Sequence, residues 1–244
     1  MLHKSYFHKV YILAKKELMG YFNSPIAYVF LAVFLIVGNW LFFNTFFIQG
    51  QASMRNYFIL LPWVFLFLIP AITMRLWAEE KRSGTIEFLL TLPVTDWQVV
   101  WGKFVGGAVF LCIALALTIT IPVSINSLGA MDWGPVIGSY LGALLMGMAY
   151  LALGLFVSSL TKNQIIAFIG AIAASFIFFI IGNYFVLATA PQFLAPILQA
   201  LGLGTHFDNI ARGVIDTKDV VYYASFIWFF LWLNKNVIES RGWK

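Results

Sequence analysis

Long apolar runs alternate with short polar connections along the whole chain. The runs cover about 26–48, 57–76, 98–122, 135–158, 164–187 and 219–237. At 1.5 Å per residue, each run is near or above the length that crosses about 30 Å of hydrocarbon. The pattern therefore predicts an all-α, polytopic membrane protein with six transmembrane helices, folded as a single transmembrane domain over residues 1–244.

A different pattern precedes the first span. Within 5–22, apolar residues recur at helical spacings of three and four, at Phe7, Tyr11, Ala14, Leu18 and Tyr21. Lys9 and Lys16 lie elsewhere on the helical wheel, which is typical of an amphipathic helix at an anionic membrane surface. The alternative, a helix packed on a second domain, is disfavoured because the chain shows no such domain. Ser24 followed by Pro25 predicts the start of the first span.

The connection between the second and third spans is predicted to contain a short helix of its own. Gly84 breaks the preceding helix, and Pro93 ends the new one because proline cannot continue a helix. The resulting segment, 84–92, is too short to span a bilayer, which needs about 20 residues. Thr95 and Gln98 then form the pattern of a capping box, so the third span begins there.

This short helix is unusually apolar for a connection. Its polar side is a narrow stripe formed by Ser83, Glu87 and Thr91. The remaining surface is covered by Ile86, Phe88, Leu89, Leu90 and Leu92. Two interpretations stay open on the residues alone: a helix lying in the lipid headgroups, or a helix that docks into a soluble protein.

The connection before the sixth span is long and punctuated by prolines. Within 188–218, Thr205 is predicted to cap a short helix, and Gly213 to end it. Asp208 and Arg212 stand four residues apart, as ion-pair partners on one helix face. The sequence thus predicts a helical excursion on the side of the membrane opposite the short helix.

Composition and charge give the orientation. The chain is 61% hydrophobic and 10% charged, whereas a soluble domain is about a quarter charged. Of its 15 basic residues, only Arg55, Arg212 and Lys218 fall on the side of the excursion. Cytoplasmic loops carry the excess of Lys and Arg, so both termini and the short helix are predicted to be cytoplasmic. This distribution makes the charge an orientation signal and argues against nucleic-acid binding.

The spans lack the groups that chemistry or ion coupling would require. No Asp, Glu, Lys, Arg or His occurs in 26–48, 57–74, 104–131 or 163–205. This absence disfavours proton- or ion-driven transport, which uses ionisable groups inside the membrane. No phosphate loop, G-x-S-x-G or H-E-x-x-H motif is present, and a lone histidine such as His206 is a poor metal site. The chain is therefore predicted to be neither an enzyme nor a binder of its own metal or cofactor.

Small residues repeat at four-residue spacing in the middle spans. The pairs are Gly102 and Gly106, Gly138 and Gly142, and Gly170 and Ala174. Such pairs let helices approach closely in lipid, which predicts that spans three to five pack tightly together.

The loop between spans two and three resembles the signature of type-2 ABC exporter permeases. The matching residues are Glu79, Glu80, Arg82, Gly84, Thr85, Glu87, Leu89, Leu90 and Pro93, with Lys103 ten residues later. The six-span layout, with its interfacial helix and excursion, is similar to that family across nearly the whole chain. The outer segment, His206, Phe207, Asp208, Arg212, Gly213 and Asp216, further resembles the branch of the gliding-motility permease GldF and the copper-maturation permease NosY.

The resemblance implies a function and a set of partners. Two permease subunits, identical or similar, would form the pathway in the bacterial cytoplasmic membrane, and two cytoplasmic ATPase subunits would bind ATP and Mg²⁺. The segment 84–92 would be the coupling helix, inserted into a cleft on the ATPase. Glu80, Arg82 and Glu87 would set its electrostatic register, while Ile86, Leu89 and Leu90 would provide buried contact. A periplasmic partner is implied as well.

A second function stays open on the sequence. In a gliding-motility-like complex, ATP-driven motion would act on periplasmic partners, and the membrane subunit would transmit force without moving a substrate. The spans, which are poor in charge, fit both functions equally well.

Overall fold

The computed structural model describes residues 2–51, 53–86 and 93–240. Within these ranges all regular secondary structure is helical. We number the helices in chain order: α1 Leu2–Phe22, α2 Pro25–Gln49, α3 Arg55–Ser83, α4 Asp96–Leu117, α5 Thr120–Asn126, α6 Trp133–Leu160, α7 Gln164–Ile180, α8 Tyr184–Thr189, α9 Ala195–Leu201, α10 Leu203–Ala211 and α11 Thr217–Glu239.

Four helical stretches of the described chain are long and apolar enough to cross a membrane. They are α2, α3, the stretch Asp96–Asn126 that contains α4 and α5, and α6. The apolar helix α7 has only 17 residues, and α11 carries Asn234 and Lys235 near its end. The chain is therefore a multi-pass membrane protein of the predicted all-α class, and the count of six spans stays a prediction.

Helix α6 is the centre of the bundle. It packs against α3, α4, α7, α10 and α11, and its Met146 and Tyr150 are fully buried. Helix α1 lies along α4, while α2 packs mainly against α3. We call the end of the bundle that contains Glu80 and Pro93 the loop end, and the end that contains α10 the excursion end.

Helix starts predicted from local signals are mostly confirmed. The Ser24 hydroxyl accepts the Ile26 N–H at 3.3 Å, and the Thr95 and Gln98 side chains form both hydrogen bonds of the capping box. Gly213, with a φ of 86°, follows the end of α10 as predicted. Thr205 is not the cap of α10, because that helix begins at Leu203. Its hydroxyl instead donates to the Gly182 carbonyl at 3.2 Å.

The second span continues beyond its predicted end at residue 76. Helix α3 runs to Ser83 and stops at Gly84, whose φ of 75° places it in the left-handed region. Glycine adopts this conformation without steric cost and commonly follows the last helical residue. The predicted break at Gly84 is confirmed, and the acidic and basic cluster before it belongs to the same helix as the span.

The fifth span ends earlier than predicted. Helix α7 stops at Ile180, whereas the apolar run suggested a helix to residue 187. Asn183 starts the next helix, α8, by accepting the Phe185 N–H at 3.3 Å. The turn between the helices lies against α10 through the hydrogen bond from Thr205 to the Gly182 carbonyl. The prediction failed because averaged hydropathy does not register a polar cap inside an apolar run.

The third span is also interrupted. Helix α4 ends at Leu117, and a separate helix, α5, continues to Asn126, past the predicted end at residue 122. The Thr118 hydroxyl donates to the Leu115 carbonyl at 2.7 Å and lies 2.9 Å from the Tyr140 hydroxyl. A polar group at the break is thus held by its own helix and by α6.

The first glycine pair has a different neighbour from the one predicted. A methyl group added at Gly102 would lie 2.5 Å from the Leu13 Cβ, and one at Gly106 would lie 3.1 Å from the Ala14 carbonyl oxygen. Both partners belong to α1, so this pair brings α1 onto α4 instead of joining two spans. Part of the apolar stripe of α1 is used in this contact, which buries Ala14.

The second glycine pair lets α10 pack closely against α6. Gly138 and Gly142 of α6 face Ile210 and Phe207 of α10. The expected close packing of spans is carried by Gly170 of the third pair, where an added Cβ would lie 3.1 Å from Val157 Cγ1 of α6, and by glycines outside the pairs. Gly107 of α4 contacts Leu151 of α6, and Gly147 of α6 contacts Leu111 of α4. Spacing alone predicted close approach correctly, but it could not say which helix would approach.

We expect Gly138→Val to separate α10 from α6. A Cβ atom at Gly138 would lie 2.7 Å from the Ile210 carbonyl oxygen and 3.1 Å from the Gly213 Cα, both backbone atoms that no rotamer change can move. Overpacking of this kind costs about 1–3 kcal/mol. Thermal unfolding in detergent should show the loss, with Gly20→Val as control, because a Cβ atom there meets no atom within 4 Å. Equal effects of the two substitutions would contradict this packing.

Candidate functional site

The described residues of the predicted coupling segment lie at the loop end. Glu79, Glu80 and Arg82 occupy the last turns of α3, Thr85 and Ile86 follow Gly84, and Pro93 precedes α4. Ile86 packs against the hydrophobic core of the bundle. Glu87, Leu89 and Leu90 lie outside the described residues, so the coupling helix over 84–92 stays a prediction.

The turn that leaves α3 is closed by short-range hydrogen bonds. The Ser83 hydroxyl donates to the Glu79 carbonyl at 2.9 Å and lies 2.9 Å from the Thr85 hydroxyl. Carbonyl groups in the last turn of a helix lack a partner within the helix, and side-chain donors can satisfy them. The chain therefore leaves α3 in a defined direction at Gly84.

Lys103 is the centre of the charge arrangement at the loop end. Its Nζ lies 2.8 Å from Glu80 Oε1 and 2.9 Å from Glu17 Oε1. The Lys103 side chain is only 2% exposed, and the ammonium also lies 4.8 Å from the centroid of the Trp77 ring. One buried cation thus joins α1, α3 and α4, the three helices that surround the start and end of the loop.

Sequence reasoning missed Glu17 as a member of this cluster. A signal was present, since Glu17 is the sole acidic residue within the otherwise basic helix α1. A buried lysine needs a carboxylate partner, and burial of an unpaired charge would cost several kcal/mol. The fold brings Glu17 beside Lys103 because Gly102 and Gly106 let α1 approach α4 closely.

The acidic residues before Gly84 have different surroundings. Glu80 turns inward to Lys103, whereas Glu79 forms an exposed pair with Arg75, with Arg75 Nε and Glu79 Oε2 3.1 Å apart. Arg82 is exposed. Of the charged side chains predicted to dock an ATPase, Glu79 and Arg82 are therefore accessible in this chain, while Glu80 is held within the bundle.

The end of α3 is also fastened to α6. The Ser158 hydroxyl accepts the backbone N–H groups of Trp77 and Ala78, each at 3.2 Å, and donates to the Met74 carbonyl at 2.9 Å. The Lys81 ammonium donates to the Ser159 carbonyl. These hydrogen bonds attach the last turns of α3 to α6 at the centre of the bundle.

The end of the loop is held by α1. The Lys9 ammonium donates to the Pro93 carbonyl at 2.5 Å. Together with Glu17 and Lys103, this contact means that α1 touches both sides of the loop, at α3 and just before α4. A displacement of the loop would therefore act on α1, α3 and α4 together.

A small polar cavity of about 270 Å³ lies between α1 and α3 beside this cluster. Three buried atoms on its walls have no hydrogen-bond partner among the described residues: Tyr21 Oη, Arg75 Nη1 and Glu80 Oε2. Burial, followed by the negative charge of Glu17, raises the pKa of Tyr21, so this hydroxyl stays neutral. A polar cavity of this size has room for several water molecules.

The predicted outer residues have structural roles at the excursion end. His206 Nδ1 lies 2.5 Å from Asp219 Oδ1, His206 Nε2 lies 3.1 Å from the Ala200 carbonyl oxygen, and the ring stacks on Tyr222 with centroids 3.9 Å apart. Phe207 is buried, and the Asp216 carboxylate caps α11 by accepting the Lys218 N–H at 3.0 Å. Among the described residues, no group of three or more His, Cys, Asp or Glu could hold a metal ion.

The expected Asp208–Arg212 ion pair is not among the ion pairs of the described residues. Burial raises the pKa of Asp208, and the charges of Arg212 and Arg55 lower it by less, so the net shift is upward. Arg212 thus acts on Asp208 at a distance, and both residues line a common cavity.

Comparison with known proteins places this bundle in a family. The family described as "ABC-2 family transporter protein" matches residues 58–218, about two thirds of the chain. Two curated relatives, each named "Probable multidrug ABC transporter permease YbhR", are 31% identical over 93 residues. One is from Escherichia coli strain K12 and the other from Escherichia coli O157:H7.

The matched segment covers 38% of this chain and 25% of each relative, so the match to those proteins is partial. The narrower resemblance to the gliding-motility and copper-maturation branch is not addressed by these matches and stays a prediction. The family match, in contrast, includes most of α3, the whole of α4 to α10 and the loop between α3 and α4. The chain belongs to the ABC-2 family of transporter proteins.

Proposed function

We propose that this chain is the membrane-spanning subunit of an ATP-driven exporter, and that a separate cytoplasmic ATPase docks at the loop between α3 and α4. The observation that carries the proposal is the fastening of both sides of this loop. Glu80 before it and Pro93 after it are tied to α1, directly or through Lys103. A loop that receives force from a partner needs such rigid attachment on both sides.

The transmission of force follows from these contacts. When the ATPase closes around ATP, it displaces the docked helix. The hydrogen bonds to Ser158 carry that displacement from the end of α3 into α6, while the ion pair of Glu80 with Lys103 carries it into α4. Helix α1 moves with them because Glu17 and Lys9 are part of the same attachment. Buried, hydrogen-bonded charge pairs suit this task since breaking one is costly.

The remaining parts of the proposal concern the assembly. ATP and Mg²⁺ are bound by the ATPase subunits, and a second permease subunit completes the pathway. The loop end faces the cytoplasm, and the protein resides in a bacterial cytoplasmic membrane with both termini inside. The distribution of basic residues supports this orientation. Twelve of the 15 belong to the predicted cytoplasmic segments, and the other three are Arg55, Arg212 and Lys218.

Reversal of the Glu87 charge tests the docking. We expect Glu87→Lys to leave membrane insertion intact, because the residue lies outside the spans, and to abolish retention of the ATPase. A like-charge contact in a partly buried interface costs several kcal/mol, and each 1.4 kcal/mol weakens binding about tenfold. The measurement is the amount of ATPase that co-purifies with the membrane subunit, together with the ATPase activity of the complex.

Lys162→Glu is the matched control, because Lys162 is an exposed charge at the same end of the bundle but lies between α6 and α7. It should retain the ATPase as the unmodified chain does. If Glu87→Lys also retained a fully coupled ATPase, the docking helix would be misplaced. A helix that only floats on the headgroups predicts this neutral outcome, or even tighter binding to anionic lipid.

A further inference from the structure

A cavity of about 860 Å³ opens at the excursion end of the bundle. Its walls come from three segments: the start of α3 with the residues before it, the start of α6 with the residues before it, and α10. Its size falls in the range of about 300–1,000 Å³ that is usual for pockets binding small molecules. No sequence motif predicted this cavity, because the three segments are far apart along the chain.

The polar groups of the cavity form a balanced set of charges. Two guanidinium groups, of Arg55 and Arg212, share its walls with the carboxylates of Asp132 and Asp208. Neither arginine takes part in an ion pair of the described residues. Asp132 uses one carboxylate oxygen to accept the Gly134 N–H at 3.1 Å. Two positive and two negative side chains therefore face one space without neutralising each other by contact.

The remaining wall is apolar and lies next to the lipid-facing surface. Phe58, Met131, Val136 and Phe207 line the cavity, and so does Ile59, which is 52% exposed. Trp133 and Ile137, just beyond Asp132 in the chain, are 40% and 62% exposed. Exposed isoleucine side chains suit contact with hydrocarbon, and tryptophan is enriched at the boundary with the headgroups. The cavity is thus placed at the level where a lipid headgroup meets its acyl chains.

We propose that this cavity binds the headgroup of a zwitterionic phospholipid carrying a phosphate and a primary ammonium. The phosphate oxygens accept hydrogen bonds from Arg55 and Arg212, since guanidinium groups match phosphate geometry. The ammonium donates to Asp208 and Asp132, and the first acyl carbons lie against Ile59 and Phe58. This site belongs to the chain itself, and it does not depend on whether the protein exports a substrate.

The charge balance selects this ligand over related ones. A phospholipid whose headgroup carries only negative charge would satisfy the arginines but would leave two carboxylates beside it without a donor. A free phosphate would leave the apolar wall of the cavity without a partner. A headgroup with both charges, attached to acyl chains, matches the complete lining.

Native mass spectrometry of the purified chain tests the site. The protein is delipidated and offered phosphatidylethanolamine, phosphatidylglycerol with the same acyl chains, or inorganic phosphate. We expect retention of phosphatidylethanolamine over phosphatidylglycerol, and loss of that retention by about tenfold or more in Arg55→Gln/Arg212→Gln, because each charge-assisted hydrogen bond contributes about 1.5–3 kcal/mol. Asp208→Asn should shift the preference toward phosphatidylglycerol, since it removes one negative charge from the cavity.

Lys218→Gln is the matched control, because Lys218 is another exposed cation at the excursion end but does not line the cavity. It should retain phosphatidylethanolamine as the unmodified chain does. Both arginines are exposed, and Arg55→Lys/Arg212→Lys provides a charge-conserving variant should the glutamine variant fail to fold. Equal retention of the two lipids, retention of phosphate alone, or occupation of the cavity only by a protein partner would overturn the proposal.

Discussion

Lys103→Met should lower the free energy of unfolding by about 3–5 kcal/mol, the cost of leaving a buried charge without its partner. The substitution keeps an unbranched apolar side chain close in length to the lysine stem but removes the ammonium between Glu17 and Glu80. Two carboxylates that each lie within 3 Å of that ammonium would then face each other in a largely buried space. Unfolding of the purified protein in detergent, by heat or denaturant, measures the loss.

Two further variants give this experiment its control. Lys15→Met removes an exposed cation from α1 and should change stability by less than about 0.5 kcal/mol. Glu17→Gln/Glu80→Gln added to Lys103→Met removes the uncompensated charges and should recover a large part of the loss, because replacement of a whole buried ion cluster can be nearly neutral. A triple variant as unstable as Lys103→Met would mean that packing of the lysine, and not its charge, holds the three helices together.

Asp219→Ala should destabilise the excursion end by about 1.5–3 kcal/mol, the contribution of a hydrogen bond to a charged group. Asp219 is fully buried, lies 2.5 Å from His206 Nδ1 and accepts a hydrogen bond from Asn209 Nδ2 at 3.4 Å. Its removal leaves the His206 and Asn209 side chains without their shared acceptor. The expected consequence is loosening of α10 from α11, measured by amide hydrogen exchange over 203–211 and by thermal unfolding.

Asp219→Asn is the control for this second experiment, because asparagine keeps the size of the aspartate side chain but removes its negative charge. The amide oxygen can still accept from His206, so the loss should be clearly smaller than in the alanine variant. Lys218→Ala, one residue away and exposed, should leave exchange in α10 unchanged. Exchange in Asp219→Ala that matches the unmodified chain would show that α10 is held in place without the contacts of Asp219.

The sequence predicted those parts of the fold that depend on neighbours in the chain. Helix starts at Ser24 and Thr95 and the break at Gly84 follow from local hydrogen bonds and backbone geometry, so they could be recognised without the tertiary structure. The end of α7 was missed because Asn183 is one polar residue within an apolar run. Spans longer than expected, such as α3, reflect helix that continues past the hydrocarbon, which hydropathy does not record.

The candidate site was predicted in its sequence position but not in its contacts. The motif around Gly84 marked the loop, and Lys103 appeared only as a distant member of the same signature. Lys103 can join Glu80 to Glu17 only because α1 approaches α4 closely. The spacing of Gly102 and Gly106 permits this approach, but it does not specify which helix approaches. The same holds for the cavity at the excursion end, where residues from three distant segments meet.

The shortness of α7 has a consequence for the surrounding bilayer. Its 17 residues extend about 25 Å, roughly 5 Å less than the usual hydrocarbon thickness. The next exposed aromatic side chains along the chain are the rings of Tyr184 and Phe185 on α8, which suit the headgroup level. If α7 is the fifth span that the sequence predicts, lipids beside it are compressed relative to those beside α3. Because such mismatch costs fractions of a kcal/mol per Å, the protein should favour thinner membranes and should gather shorter acyl chains along α7.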